Sequence, residues 1–289
     1  MFCIQKFREI EMTKIAVSGA SGKLGQLVVA TLLERGVRDV VALSRSPERI
    51  VGDRRLEKRF ADFDEPQSLE VALADVSRLV LISTDALGAD GRRVRQHRAA
   101  IEAAERAGVE HVVYTSMLHA GVSPLKMMVA DHWATELVLA ESGLGHTVLR
   151  HAFYDDLAKG ILARAASGVF PHAAGAGRVA YVSRRQCALA AAIAVSDGFV
   201  GRRRFDITGP EALGMDELAE LAGRQRGSDY RAEAMSREEL VARLVSGGMP
   251  EMQAQVMAMI DVGIAAGAME PASGDLSTLT GIQALPLEL

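Results

Sequence analysis

Two cysteines in 289 residues, Cys3 and Cys187, allow neither a disulfide framework nor a cysteine-based metal site, which predicts a reducing compartment. Charge of one sign is also scarce. With a net charge of -4, a pI near 6.0 and both signs interspersed, the chain lacks the basic field that nucleic acid requires and the polybasic patch of a membrane surface. Apolar runs are short, none near the ~18 residues of a membrane-spanning helix. The start, Met1 to Glu11, alternates charged with apolar residues and has no cleavage site, so residues 1–12 read as a flexible extension and the protein as cytoplasmic. The seven histidines show no metal-ligand spacing, so no metal is expected. Aromatics are only 4% against 49% hydrophobic residues, the Ala- and Val-rich balance of a parallel sheet covered by helices on both sides.

Short apolar runs at Lys14 to Ser18, Asp39 to Leu43, Arg59 to Ala61, Arg78 to Ser83, His111 to Thr115 and His146 to Arg150 read as parallel strands. Helix-period stretches lie between them at Lys23 to Arg35, Pro66 to Ala74, Gly91 to Ala107 and Pro124 to Ser142, with Gly36, Gly108 and Gly143 as stops. This alternation predicts a Rossmann-type, doubly wound α/β domain over residues 13–150. Residues 151–289 read as a smaller, mostly helical substrate-binding lobe, some of whose strands return to the main sheet. Its helices fall at Asp155 to Ser167, Arg184 to Ser196, Met215 to Arg226, Ser236 to Ser246 and Glu251 to Ala266. Its strand candidates are Val179 to Val182 and Arg204 to Thr208, and its loops Ala173 to Arg178 and Gly267 to Asp275. Met127, Met128, Met249, Met252, Met257 and Met259 are expected mostly in the core, with a flexible apolar mouth as the other reading.

Three glycines, Gly19, Gly22 and Gly25, stand three apart where the first strand turns into the first helix. The first permits a tight turn, the second lets the backbone approach a pyrophosphate, and the third lets helix pack on strand. Free N-H groups at the helix start complete an anion site. The G-x-x-G-x-x-G spacing points to the short-chain dehydrogenase/reductase variant of the dinucleotide fold. The second strand ends in Leu43-Ser44-Arg45, with no carboxylate for a ribose 2'-hydroxyl. Arg45, assisted by Ser44, suits a 2'-phosphate instead, which favours NADPH while leaving NADH open. Asp62, after the third strand, is a candidate acceptor for the adenine amino group.

Ketone reduction on this scaffold uses a Tyr four residues before a Lys, the ammonium lowering the phenol's pKa. Here Tyr114, Tyr154, Tyr181 and Tyr230 are followed at that position by Leu118, Ala158, Arg185 and Ala234. No such relay exists. A quinone does not need one, because hydride addition yields a phenol-like oxygen with a pKa near ~10 that water can protonate.

The motifs Gly19-Ala-Ser-Gly-Lys-Leu-Gly25, Val80-Leu-Ile-Ser83, Tyr114-Thr-Ser-Met-Leu-His-Ala120, Ser123-Pro-Leu125, Leu149-Arg150, Tyr154 and Asp261-Val-Gly263 together resemble the type 2 NAD(P)H:quinone oxidoreductases. These are NmrA-like, atypical short-chain dehydrogenase/reductases related to nitrogen metabolite repression regulators. The resemblance runs from Thr13 nearly to the C-terminus. It implies that Gly19, Ser21, Gly22, Lys23, Leu24 and Gly25 hold the phosphates, and that Ser44 and Arg45 select NADPH. Asp62, Phe63, Ser83, Thr84, Ser116 and Arg150 complete the expected cofactor site. Met117, His119, His151, Phe153 and Tyr154 are expected against the acceptor, with His151 and Tyr154 as catalytic candidates. Relatives read Leu-Arg-Asn-Gly-x-Tyr where this chain has Leu149-Arg-His-Ala-Phe-Tyr154, so His151 and Ala152 are departures. His151 is either a hydrogen-bond donor to a quinone or to the cofactor amide, or a structural histidine.

His132 and Glu136 stand where the superfamily's Tyr and Lys would be. A general-acid dyad is one reading; a surface, helix-stabilising pair is the simpler one. Trp133 is expected in packing. The leading functional expectation is an NADPH-dependent reductase of quinones or similar conjugated acceptors, without flavin or metal. The alternative is a non-catalytic NAD(P)-binding redox sensor or transcriptional co-regulator. No nucleic-acid or membrane partner is expected, and monomer and homodimer both stay open.

Overall fold

The structure, a computed structural model, describes residues 13–51, 56–86, 90–165 and 168–289. The extension expected at residues 1–12, with Cys3, lies outside the described residues, as do the last two residues of the helix expected from Asp155 to Ser167. Six apolar runs form β1 (Ile15–Val17), β2 (Val40–Ser44), β3 (Glu57–Phe60), β4 (Arg78–Leu81), β5 (His111–Met117) and β6 (Gly145–His151). Between them lie α1 (Lys23–Glu34), α2 (Pro66–Ala72), α3 (Arg92–Arg106) and α4 (Lys126–Glu141). A seventh strand, β8 (Arg202–Ile207), joins beyond β6, giving the order β3-β2-β1-β4-β5-β6-β8 with every pairing parallel. This is the doubly wound α/β architecture that the alternation predicts.

Alternating side chains of the central strands feed two apolar layers. Ile15, Val17, Val80, Val113 and Leu149 face α1 and α6 (Arg184–Ser196), whereas Ala16, Leu79, Leu81, Val112 and Tyr114 face α2, α3 and α4. Leu32 and Leu149 are fully shielded from solvent; such burial is worth about 1.5–3 kcal/mol each. In α6, Ala188, Ala190, Ala191, Ala192 and Ala194 are all fully buried, and these small side chains let the helix lie close to α1 and the sheet.

The remaining elements are α5 (Asp155–Arg164), β7 (Val169–His172), α7 (Met215–Arg226), β9 (Arg231–Ala234), α8 (Arg237–Ser246), α9 (Glu251–Ala265) and α10 (Asp275–Thr280). Several expectations need correction. Two elements after Arg150 join the N-terminal layers: α6 covers the sheet and β8 extends it. The strand expected at Val179 to Val182 is reduced to two isolated bridges, Tyr154 to Val182 and Val179 to Leu213. β7 and β9, paired in parallel, carried no sufficient apolar alternation to be foreseen. None of the six methionines is fully buried: Met127 and Met252 are 81% and 80% exposed, Met128 packs half-buried against the core, and among the described residues the buried methionines are Met215 and Met269. Trp133 is 39% exposed and covers Gly121, at the protein surface.

Histidines stand inside the layer between α3, α4 and the sheet. His97 accepts from Thr84 N at 3.0 Å through Nε2 and faces Thr135 Oγ1 at 2.9 Å through Nδ1. Since Thr135 Oγ1 donates to Asp131 O, the His97 proton belongs on Nδ1. Burial, with the neighbouring positive charge of Arg93 adding to it, lowers His97 and His132 from 6.5 to about 3. The unfolded chain therefore binds more protons than the folded one between about pH 6.5 and 3. The stability from these two residues is fully present above 6.5 and is lost as pH falls through that window, by up to about 1.4 kcal/mol per pH unit for each. Asp261, raised from 3.8 to about 6 by burial, acts in the opposite sense between those two values. Urea melts at stepped pH should show stability declining below pH 6.5, with a shallower decline in His97→Gln.

Candidate functional site

Strand order reverses between β1 and β4, and it is at the C-terminal ends of the strands beside such a switch point that open α/β sheets form their ligand crevice. The glycine loop sits there. Gly19 has φ +61, and a Cβ on Gly25 would stand 2.2 Å from Gly19 O. Any side chain at Gly25 would push α1 off the strand. Gly22 is the N-cap of α1; it is exposed and supplies no side-chain cap, and no acidic residue stands in the first turn. The helix thus presents unpartnered N-H groups and its positive dipole end to the crevice, which fits a pyrophosphate. Lys23, 80% exposed, reaches to 3.9 Å from Asp156 of α5, across the crevice. Leu24 is buried beneath the loop.

At the end of β2, the Ser44 and Ser21 hydroxyls are 2.8 Å apart, joining the second strand to the glycine loop, and Ser44 Oγ accepts from Ser46 N. Arg45 is exposed, 4.0 Å from Asp85. Its guanidinium is free to turn toward a phosphate. Asp62 accepts from Asp64 N at 3.0 Å through Oδ1 and closes the turn after β3, while Phe63 packs half-buried against the α2–α4 layer. The end of β4 is pinned by side chains of its neighbours: Ile82 N donates to Ser18 Oγ and Ser83 N to Thr115 Oγ1, each at 2.9 Å. Thr84 Oγ1 is buried without a partner among the described residues.

Beside this crevice lies a cluster that sequence reasoning missed. Glu136 of α4 accepts from Ser116 Oγ at 2.6 Å and from Arg150 Nε and Nη2 at 2.9 and 2.6 Å, all three residues being buried. The bidentate pair ties α4 to the ends of β5 and β6. Ser116 and Arg150, both expected at the cofactor, direct polar atoms to Glu136. The surface pair expected of His132 and Glu136 is also corrected. Both are 8% exposed and they do not bond each other: His132 Nδ1 meets Tyr114 Oη at 3.0 Å, and its Nε2 faces Arg93 Nη1 at 3.5 Å. The legible signal was spacing, since Val129, His132, Glu136 and Leu139 form one helical stripe, all buried.

On the opposite wall, Met117 and Phe153 are half-buried against the core. His119, at φ +57, bonds through Nε2 to the carbonyl oxygen of Glu270, tying β5's end to the C-terminal segment. His151 Nδ1 faces Tyr154 Oη at 3.0 Å, whereas Nε2 is buried with no partner among the described residues. Burial lowers His151 to about 3 and raises Tyr154 well above the usual phenol range, so both are neutral at physiological pH. Arg184 stacks on the Tyr154 ring, 4.4 Å from its centroid. Among the described residues no three His, Cys, Asp or Glu side chains form a metal-binding group, and no helix is long and apolar enough to cross a membrane.

The NAD(P)H-binding family model matches residues 19–196, the glycine loop through α6. Quinone oxidoreductase 2 of Escherichia coli is 35% identical over 92% of this chain and 93% of its own. The chain belongs to the NAD(P)H-binding oxidoreductases of the type 2 quinone oxidoreductase family. Two solved members share the fold at a TM-score of 0.87: the E. coli NADPH-dependent quinone oxidoreductase complexed with NADPH, 34% identical, covering 94% of this chain and 96% of that one, and the Citrobacter sp. triphenylmethane reductase complexed with NADP(H), 33% identical, covering 95% and 97%. A nicotinamide dinucleotide is thus the cofactor class of this family fold, and the uncapped α1 terminus fits its pyrophosphate.

Glu136→Gln leaves the Arg150 guanidinium buried without a counter-ion and should cost about 3–5 kcal/mol in chemical denaturation. The double variant Glu136→Leu with Arg150→Met should recover much of that loss.

Proposed function

We propose that this oxidoreductase uses NADPH to reduce quinones or similar flat, conjugated acceptors, dyes included, by direct hydride transfer without flavin. The acceptor lies between the strand ends and the smaller lobe, and the protein acts in the cytoplasm. The observation that carries this reading is similarity along nearly the whole chain to a quinone oxidoreductase, on a site that retains the glycine loop and has Arg45 at the end of β2. When bound, the reduced nicotinamide supplies the hydride.

The protein's own residues bind and orient. Gly19 to Gly25 receive the pyrophosphate, Ser44 and Arg45 the 2'-phosphate, and Asp62 and Phe63 flank the adenine. Ser83 and Thr84 line the nicotinamide side, and Met117, His119, Phe153 and Tyr154 the acceptor side. His151, neutral and with Nε2 unpartnered, offers a hydrogen bond and no mobile proton. Tyr114 is no replacement for the absent relay, because its hydroxyl is buried against His132. An acceptor whose reduced oxygen takes its proton from water fits these groups; a ketone does not.

Two measurements test the reading. Arg45→Ala should weaken NADPH binding by about 1–3 kcal/mol and leave NADH nearly unchanged in direct titrations; equal losses refute the 2'-phosphate contact. Purified protein should oxidise NADPH when a benzoquinone, a naphthoquinone or a conjugated dye is added, at initial rates proportional to protein. Tight NADPH binding with no turnover across that panel would replace the enzyme by the sensor.

A further inference from the structure

Away from the dinucleotide crevice, the smaller lobe encloses a cavity of about 430 Å³ between α5, β7, α8 and α9. It is large enough for a small aromatic molecule. Its walls mix apolar side chains, Phe170, Met215, Leu240 and Met257 among them, with polar groups, and two of its lining residues carry opposite charge: Arg164 on the last turn of α5 and Asp261 on α9.

These two do not pair. Asp261 is only 6% exposed; its Oδ2 accepts from Ala173 N at 2.8 Å, and no cation stands within 4.0 Å of its carboxylate among the described residues. Arg164 is exposed and makes no hydrogen bond or ion pair with the described residues. Burial raises Asp261 to about 6, so at neutral pH it remains a carboxylate in an apolar wall with one amide N-H for company. A buried acceptor in that condition lacks a donor. The other titratable lining groups, His172 and Arg243, are otherwise engaged: His172 Nδ1 accepts from Ala174 N, and Arg243 is directed to Glu233 on β9.

The cavity is distinct from the nicotinamide end of the crevice. Ile161 and Arg164 stand about 10 and 15 Å along α5 from Tyr154, at 1.5 Å per residue. Gly263 of α9 packs on Leu125, at the start of α4, and Asp261 is about 200° around the helix from it. α9 therefore stands between the cavity and the β5–α4 loop.

We propose that this cavity is a second ligand site for an aromatic acid, its carboxylate paired with Arg164 and a hydroxyl or amino group at its far end donating to Asp261. The apolar side chains hold the ring, and the two charges, which make no direct bond to each other, read its two ends. No turnover is involved, so the site stands or falls independently of the acceptor chemistry.

Calorimetric titration of the full chain with 4-hydroxybenzoate, benzoate and phenol tests it. One 4-hydroxybenzoate should bind per chain, about tenfold or more tighter than either comparator, because each of them lacks one charge-assisted hydrogen bond. Arg164→Gln should reduce its affinity to that of phenol, and Asp261→Asn to that of benzoate, with NADPH titration and thermal melting showing both variants folded. Undetectable binding, equal affinity for the three compounds, or displacement of 4-hydroxybenzoate by NADPH or benzoquinone would overturn the proposal. Affinity unaltered in both variants would do the same.

Discussion

The approach of α1 to β1 governs where everything else can stand. With the Cβ position of Gly25 only 2.2 Å from Gly19 O, helix and strand are as close as a hydrogen atom allows. That closeness brings the uncapped helix terminus over the switch point, where its N-H groups converge on the crevice. It also sets the height of the layer in which α6 lies against α1. A helix of fully buried alanines fits such a shallow layer, and larger side chains would need α1 further out. The anion site and the packing of a helix far along the chain thus share one geometric origin.

A second constraint is electrostatic. Charge enters the interior of the sheet's helical layer where it can be matched, and the Glu136 carboxylate with Arg150 and Ser116 is the main instance. The cluster joins α4 to the ends of β5 and β6, the part of the fold that faces the nicotinamide in the proposed function. Around it His97, His132 and His151 are neutral because burial disfavours their charged forms. These three side chains therefore carry no mobile proton at neutral pH. Such a site suits an acceptor that needs orientation and hydride and can take its proton from water.

Strong local patterns were legible. Strands β1, β2, β4, β5 and β6 appear within a few residues of their apolar runs, and α6 and α7 span the expected residues. The glycine loop was legible because Gly19 and Gly25 answer to backbone geometry within a few residues of themselves. Glu136 was not. A Glu on a helix reads as solvated until the stripe through Val129, His132 and Leu139 is taken as a core face, and the guanidinium that balances it lies on another element. The pairing of β7 with β9 was equally hidden, since neither carries enough apolar alternation to announce itself.

By itself, the sequence determined the architecture of the sheet, the dinucleotide class through three glycines, and that no Tyr stands four residues before a Lys, because each depends on residue types at short, countable spacings. Only the tertiary structure decided that Ser116 and Arg150 are held by Glu136, that α6 covers the N-terminal sheet, and that Asp261 and Arg164 share a cavity without touching. Burial and charge compensation depend on neighbours distant in the chain, and no spacing along one segment records them.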